Sequence, residues 1–397
     1  MRQSLKIVAL LGGLLVYMQA AASAAQASVD PQDIDRIIEG RMQETGLVGV
    51  GAAIILDRKL VWSRGYGFAD KQDAVPFTTD TVMNIGSISK PFTGVALMQA
   101  VEDGKLSLDE DINAYLPFKV FNPSFPDARI TLRHLATHTS GITDRWEVYQ
   151  RTYHWGGDAP EPLGEFLQGY LATGGKDYMK DNFLPFKPGT HRDYSNIAAG
   201  LAGYIVERAV GEKLNTYTAR RIFKPLGMDR SGWLLSEIAP GAHSTLYVGQ
   251  EGFSIPIQLY GITTYPDGGV RTSVSDLSRF FIALLDGGQY EGARILDASS
   301  TAEMLRFQYT EADKPDNVLL NEKNSGIFWS TKFDVTYIGH GGSDPGISTE
   351  MLSTLDKDVA IILMVNTSLS GKEAAVYNAL LDDLWKHAAT LKRKAAE

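Results

Sequence analysis

Apolar positions set the first expectations. Ile34, Ile37 and Ile38 recur at helical spacing and Pro31 suits a first helical turn, so residues 30–43 are expected to form a helix. Residues 48–56 are rich in β-formers. Asp57-Arg58-Lys59 then supplies a turn, and residues 60–68 are expected to return as the partner strand. From Pro91 to about Asp229 helical patterns dominate, broken by loops that contain Gly and Pro. Strand patterns come back at 333–339, 347–354 and 359–366, and a last helix is expected over 372–391.

Strands at both ends of the chain, with helices between them, predict an α+β fold. An α/β sandwich lobe would draw one antiparallel sheet from both chain ends, and the middle would form a helical lobe. The 397 residues exceed a usual single core. The expected division is a sheet lobe at about 29–85 and 265–390 and a helical lobe at about 86–264, within one catalytic unit over 29–390. A ligand cleft is expected between the lobes.

Composition narrows the classes of function. The formal charge of −9 speaks against a nucleic-acid partner, which would need clustered Lys and Arg. With no cysteine there is no disulfide, no thiolate nucleophile and no Cys-ligated zinc. Arg2 and Lys6 precede an apolar run at 7–18, and Ala22-Ser23-Ala24 fits a small-residue cleavage site. Residues 1–24 therefore read as a signal peptide, with a periplasmic or secreted product and no stable membrane insertion after its removal. The run is too short to span a bilayer, and no later stretch is long and apolar enough to do so.

Three short motifs carry candidate chemistry. Ser87-Ile88-Ser89-Lys90 precedes a helical pattern, so Ser87 would sit at a helix N-terminus with Lys90 on the same face. A serine hydroxyl is a weak nucleophile that needs a neighbour to take its proton, and the helix end adds positive potential where an oxyanion develops. Tyr194-Ser195-Asn196 offers a phenol that a nearby cation could turn into a base, and an amide that could hold both Lys90 and a substrate carbonyl. His340-Gly341-Gly342 follows a strand pattern; its glycines would let a substrate backbone lie close, and His340 could orient a carboxylate or carry a proton. Taken singly, each motif also fits a capped helix, a turn or a glycine-rich hairpin.

Taken in order, Ser-x-x-Lys, Tyr-x-Asn and a Lys/His-x-Gly strand resemble class C β-lactamases and the related serine DD-peptidases, D-aminopeptidases and esterases. The segments Leu132-Arg133-His134-Leu135-Ala136-Thr137-His138-Thr139-Ser140-Gly141, Pro225-Leu226-Gly227-Met228 and Pro266-Asp267-Gly268-Gly269 are similar as well. The resemblance implies a β-lactamase/transpeptidase-like fold and an acyl-enzyme on Ser87. Lys90 would activate it, Tyr194 would act as base, Asn196 would position substrate, and the amides of Ser87 and Ser343 would form the oxyanion hole. The segment 132–141 would be structural. One departure stands out: His340-Gly341-Gly342 replaces the Lys-Thr-Gly of typical class C enzymes, so the cation becomes titratable and a hydroxyl is lost. This favours a peptidase or esterase acting on a peptide or other small molecule, with no cofactor and no metal. Two rival sites compete. Gly341-Gly342-Ser343-Asp344-Pro345 lacks the last Gly of a nucleophile elbow, and His134 with His138 at i, i+4 lacks the Glu of a zinc-protease helix. A non-turnover binder on the same fold is the third alternative.

Overall fold

Asp57 and Arg58 turn the chain with φ of 48° and 64°. Both central residues in the left-handed region give the tight hairpin whose twist matches its strands. The hairpin joins β1 (Gly49–Leu56) to β2 (Lys59–Asp70), with Leu56 opposite Lys59. The computed structural model describes residues 34–250 and 253–397. The expected signal peptide, Pro31 and the beginning of the first predicted helix lie outside the described residues.

The short β3 (Val75–Pro76) borders β2, and four strands come from the other end of the chain: β4 (Ser330–Lys332), β5 (Tyr337–Asp344), β6 (Ile347–Thr354) and β7 (Val359–Val365). The sheet runs β4-β5-β6-β7-β1-β2-β3, antiparallel at every pairing. The junction of the two chain ends is β1 against β7, from Val50 opposite Val365 to Leu56 opposite Val359. The expected antiparallel sheet from both ends is therefore present.

Five helices frame this sheet: α1 (Ile34–Thr45), α2 (Ser89–Glu102), α3 (Asn196–Val210), α4 (Val274–Leu285) and α5 (Lys372–Ala396). Period-two alternation explains their placement. Val50, Ala52, Ile54 and Leu56 of β1 and Ile361, Leu363 and Val365 of β7 pack with α1 and α5. Ala53 and Ile55, with Ala360, Ile362 and Met364, face the larger core that holds α2, α3 and α4. Both faces are covered, which is why β1 is buried along its whole length. α2 is apolar nearly all round and enclosed, as a helix with no polar face must be.

Two boundaries differ from expectation. The strand expected at 333–339 begins at Tyr337 and runs on to Asp344, so His340-Gly341-Gly342 lies inside it. Phe333, Asp334 and Val335 have φ of 51°, 50° and 62°, and such left-handed residues make a turn, not a strand. The stretch 86–264 is also not purely helical. Leu246–Gln250 pairs with Phe253–Ile257 and, in parallel, with Thr367–Ser368, while Tyr153–Trp155 pairs with Tyr260–Ile262.

Candidate active site

Gly86 has a φ of 53° and opens a single 3-10 turn, Gly86–Ile88, that feeds directly into α2. The turn presents Ser87 at the start of the helix and buries Lys90 completely in the first turn. Two further bonds fix the helix start: Ser89 Oγ accepts from Val270 N at 2.9 Å, and Thr93 Oγ1 donates to Pro266 O at 2.7 Å. The segment 266–270 is thus clamped to α2.

Lys90 Nζ donates to Ser87 Oγ at 3.0 Å, to Asn196 Oδ1 at 2.7 Å and to Asp267 O at 2.9 Å. Burial works to lower the pKa of Lys90, but Tyr194, Asp267 and Asp144 outweigh it and hold the ammonium above its ordinary value. The geometry agrees with a cation: three acceptors surround the nitrogen, and only an ammonium has three hydrogens to give them.

Tyr194 Oη lies 2.9 Å from Ser87 Oγ, and the His138 ring packs against Tyr194 with centroids 4.3 Å apart. His138 Nδ1 accepts from Ser195 N at 3.2 Å. Ser195 caps α3 by accepting from Ala198 N, so Tyr194 and Asn196 straddle a helix start as expected. Asp144 holds this start in place, accepting from Ser195 Oγ, Asn196 N and Ile197 N at 2.7, 2.7 and 3.0 Å. Burial pushes its carboxyl up while these bonds and Lys90 pull it down. Sequence reasoning missed Asp144, because nothing local marks an Asp after Ser140-Gly141 as the support of a tyrosine fifty residues on.

A cavity of about 490 Å³ opens over Ser87, Tyr194 and Asn196. His340, Gly341 and Ser343 line it too. β4 pairs with Tyr337–Gly339, so from His340 onward the outer edge of β5 has no strand partner among the described residues, and His340, Gly341 and Ser343 border the cavity. Ser343 belongs to that stretch. Gly342 does not line the cavity: a side chain there would begin 2.1 Å from Ile85 O, so the glycine makes room for the turn that carries Ser87. The space beside Gly341 is taken by the Glu350 carboxylate, 2.6 Å from where a side chain would start.

The surroundings of His340 work against the expected cation. Its ring is buried, Nδ1 pairs with Gly341 O at 2.7 Å, and burial with Lys90, Lys332 and Lys323 holds the imidazole well below its usual pKa. Positive charge instead comes from Arg192, Lys323 and Lys332, which border the same end of the cavity. Lys332 pairs with Glu350 at 3.2 Å. Lys323 Nζ donates to Thr331 O at 2.7 Å, and Arg192 Nε is buried without a hydrogen-bond partner. His134, the other half of the rival metal pair, accepts from Thr131 N within a helix cap.

The model of the Beta-lactamase family matches residues 34–384. Among curated proteins, Protein flp of Staphylococcus aureus is 23% identical over 351 residues, 84% of this chain and 63% of that protein. Esterase EstB of Burkholderia gladioli is 28% identical over 211 residues, 51% of this chain and 52% of the esterase. The chain thus spans about half to two thirds of the length of these relatives. The solved octameric penicillin-binding protein homologue from Pyrococcus abyssi has a TM-score of 0.69 at 25% identity, covering 89% of this chain and 77% of that one. A family match that starts at α1 and ends within α5, together with a shared fold, means that the chain belongs to the beta-lactamase family, within the serine β-lactamase and transpeptidase superfamily.

Proposed function

We propose that this chain is a serine acyl hydrolase that acts on short peptides, in the manner of a D-Ala carboxypeptidase or D-aminopeptidase, through an acyl-enzyme on Ser87. One observation carries the reading: Ser87 Oγ sits between Lys90 Nζ and Tyr194 Oη, at 3.0 and 2.9 Å. Lys90 has every proton committed to an acceptor, so Tyr194, acting as a phenolate stabilised by the ammonium beside it, is the group left to take the proton of Ser87 and become the phenol. Oγ attacks the acyl carbon, and the amides of Ser87 and Ser343 receive the oxyanion. Tyr194 returns the proton to the departing amine. Water then attacks the ester, giving its proton to Tyr194, which passes it to Ser87 Oγ as the acyl–oxygen bond breaks and the acid departs. Asn196, with Oδ1 fixed by Lys90, turns its amide nitrogen to the substrate carbonyl.

Arg192 and Lys323 support a peptide over a neutral ester, because they stand at the end of the cleft where Tyr194 meets the leaving group and suit a terminal carboxylate. A fluorophosphonate should label Ser87 and nothing else. Lys90→Ala and Tyr194→Phe should each slow labelling by about 10² or more, without adding, since the two act as a unit. Peptide mapping of the adduct to Ser343 would overturn the assignment. Turnover of short esters with no turnover of any peptide acid would move the reading to an esterase.

A further inference from the structure

The cleft is electrically lopsided. Arg192, Lys323 and Lys332 border the end near Tyr194 and His340, whereas Asp267 and Asp344 border the other end within a wall of Trp146, Tyr149 and Tyr153. The leading charges on Asp267 and Asp344 are Lys90, Arg271 and neighbouring acids rather than the cations of the basic end.

Asp267 is 1% exposed yet faces the cavity. Tyr149 donates to its Oδ1 at 3.0 Å, and Oδ2 is buried with no hydrogen-bond partner. The Thr264 hydroxyl lies near enough to pull the pKa of Asp267 down but makes no hydrogen bond. Tyr153 donates to Asp344 Oδ1 at 2.5 Å and leaves Oδ2 beside Gly86 and Gly268, 3.3 and 3.4 Å from where side chains on them would begin. The charges acting on the pair are already spoken for. Lys90 spends its three protons as described, and Arg271 donates to the carbonyls of Trp233, Gly269 and Tyr260. Asp144, the third acid within reach, adds repulsion to Asp267. Burial accordingly pushes Asp267 up to about 7 and Asp344 up to about 6. A buried carboxylate oxygen without a partner on Asp267, beside the half-buried Asp344 and set among ring faces, is an environment that a cation would satisfy.

We propose that this end of the cleft binds a primary ammonium group, so that the acyl donor carries a free amino group next to its scissile carbonyl. This rests on the acyl-transfer reading above. The position fits, because Asp344 directly follows Ser343, the oxyanion donor of that reading, and its Oδ2 lies against the glycine that precedes Ser87. An ammonium there gives a hydrogen to each spare oxygen and lies against the aromatic wall. An N-acetylated donor would leave Asp267 Oδ2 buried and unmet, which is the kind of loss that makes a site reject an analogue strongly.

The test compares D-alanine p-nitroanilide with N-acetyl-D-alanine p-nitroanilide, which share a leaving group that does not involve the basic end. In the wild type, kcat/KM for the free amine should exceed that for the acetylated donor by about 50-fold or more. Asp267→Asn and Asp344→Asn should each shrink that ratio at least about tenfold, whatever happens to the absolute rates. A second readout needs no variant: benzylamine should inhibit p-nitrophenyl acetate turnover at a concentration at least about tenfold below benzyl alcohol. A ratio near one in the wild type, or equal inhibition by amine and alcohol, would overturn the proposal. If that happens while fluorophosphonate still labels Ser87 and the ester is turned over, the hydrolase reading stands and only the ammonium site falls. If Ser87 is neither labelled nor acylated, both fall.

Discussion

At the basic end of the cleft, one lysine sets the pH at which an anion can be held. Burial, then Arg192 and Lys332, pull Lys323 down to about 8 against the pull of Glu350. Its charge is therefore present below that pH and lost as pH rises through it, whereas burial and the neighbouring lysines hold the imidazole of His340 well below its ordinary pKa. kcat/KM for a peptide with a free carboxylate, divided by that for its amide, should fall above about pH 8 and show no step near the usual histidine pKa. Lys323→Arg should carry the fall to higher pH. A step near pH 6.5 that ignored Lys323→Arg would return the role to His340. The reacting groups themselves were legible in the sequence, because Ser87 with Lys90, and Tyr194 with Asn196, are local pairs set at helix starts. Arg192, Lys323, Asp144 and Asp267 were not. Asp144 supports a helix start fifty residues on, Arg192 and Lys323 come together only in the folded cleft, and Asp267 sits in a Pro-Asp-Gly-Gly turn that gives no sign of which way its carboxylate faces.

Between β5 and the Ser87 turn the packing is backbone against backbone. Gly342 has no side chain because Ile85 O fills the place, and Thr349 Oγ1, from β6, donates to that same carbonyl at 2.9 Å. Gly342→Ala should force the turn to move, costing about 1–3 kcal/mol of stability and slowing Ser87 labelling. Gly341→Ala should cost less, since it meets only the end of the Glu350 side chain, which can swing. Urea midpoints and labelling rates for the two variants test the order, and a more damaging Gly341→Ala would contradict it. The His-Gly-Gly run was visible in sequence, yet its glycines were read as openings for substrate. The register that sets Gly341 opposite Glu350, and the approach of a turn from 255 residues away, are tertiary facts. The start of β5 was misplaced for a similar reason: Phe333 and Val335 have strand-like side chains but occupy a left-handed turn.

The molecule is closed where its two ends meet. Asn366, fully buried just past β7, accepts from Gly49 N at 2.7 Å and donates to Phe68 O and Ser244 Oγ at 3.0 and 2.8 Å. One side chain thus ties β1, β2 and the segment at 244 to the last strand. Asn366→Ala would leave several buried groups unmet and should lower the unfolding free energy by about 3 kcal/mol, read from urea denaturation at constant m-value. A loss below about 0.5 kcal/mol would show that these groups find other partners. The pairing of β1 with β7 was foreseeable from strand patterns at both ends, whereas this clamp was not, since a lone Asn after a strand looks like any turn residue. The same pairing governs when the protein can be made whole. On the ribosome β1 emerges ahead of the rest of this sheet, apolar on both faces, and its partner β7 follows only after some three hundred more residues. Joining such distant segments costs little extra free energy but a great deal of time. Until the last strand arrives, the nascent hairpin has a bare edge and an uncovered face, the features that draw chains into aggregates.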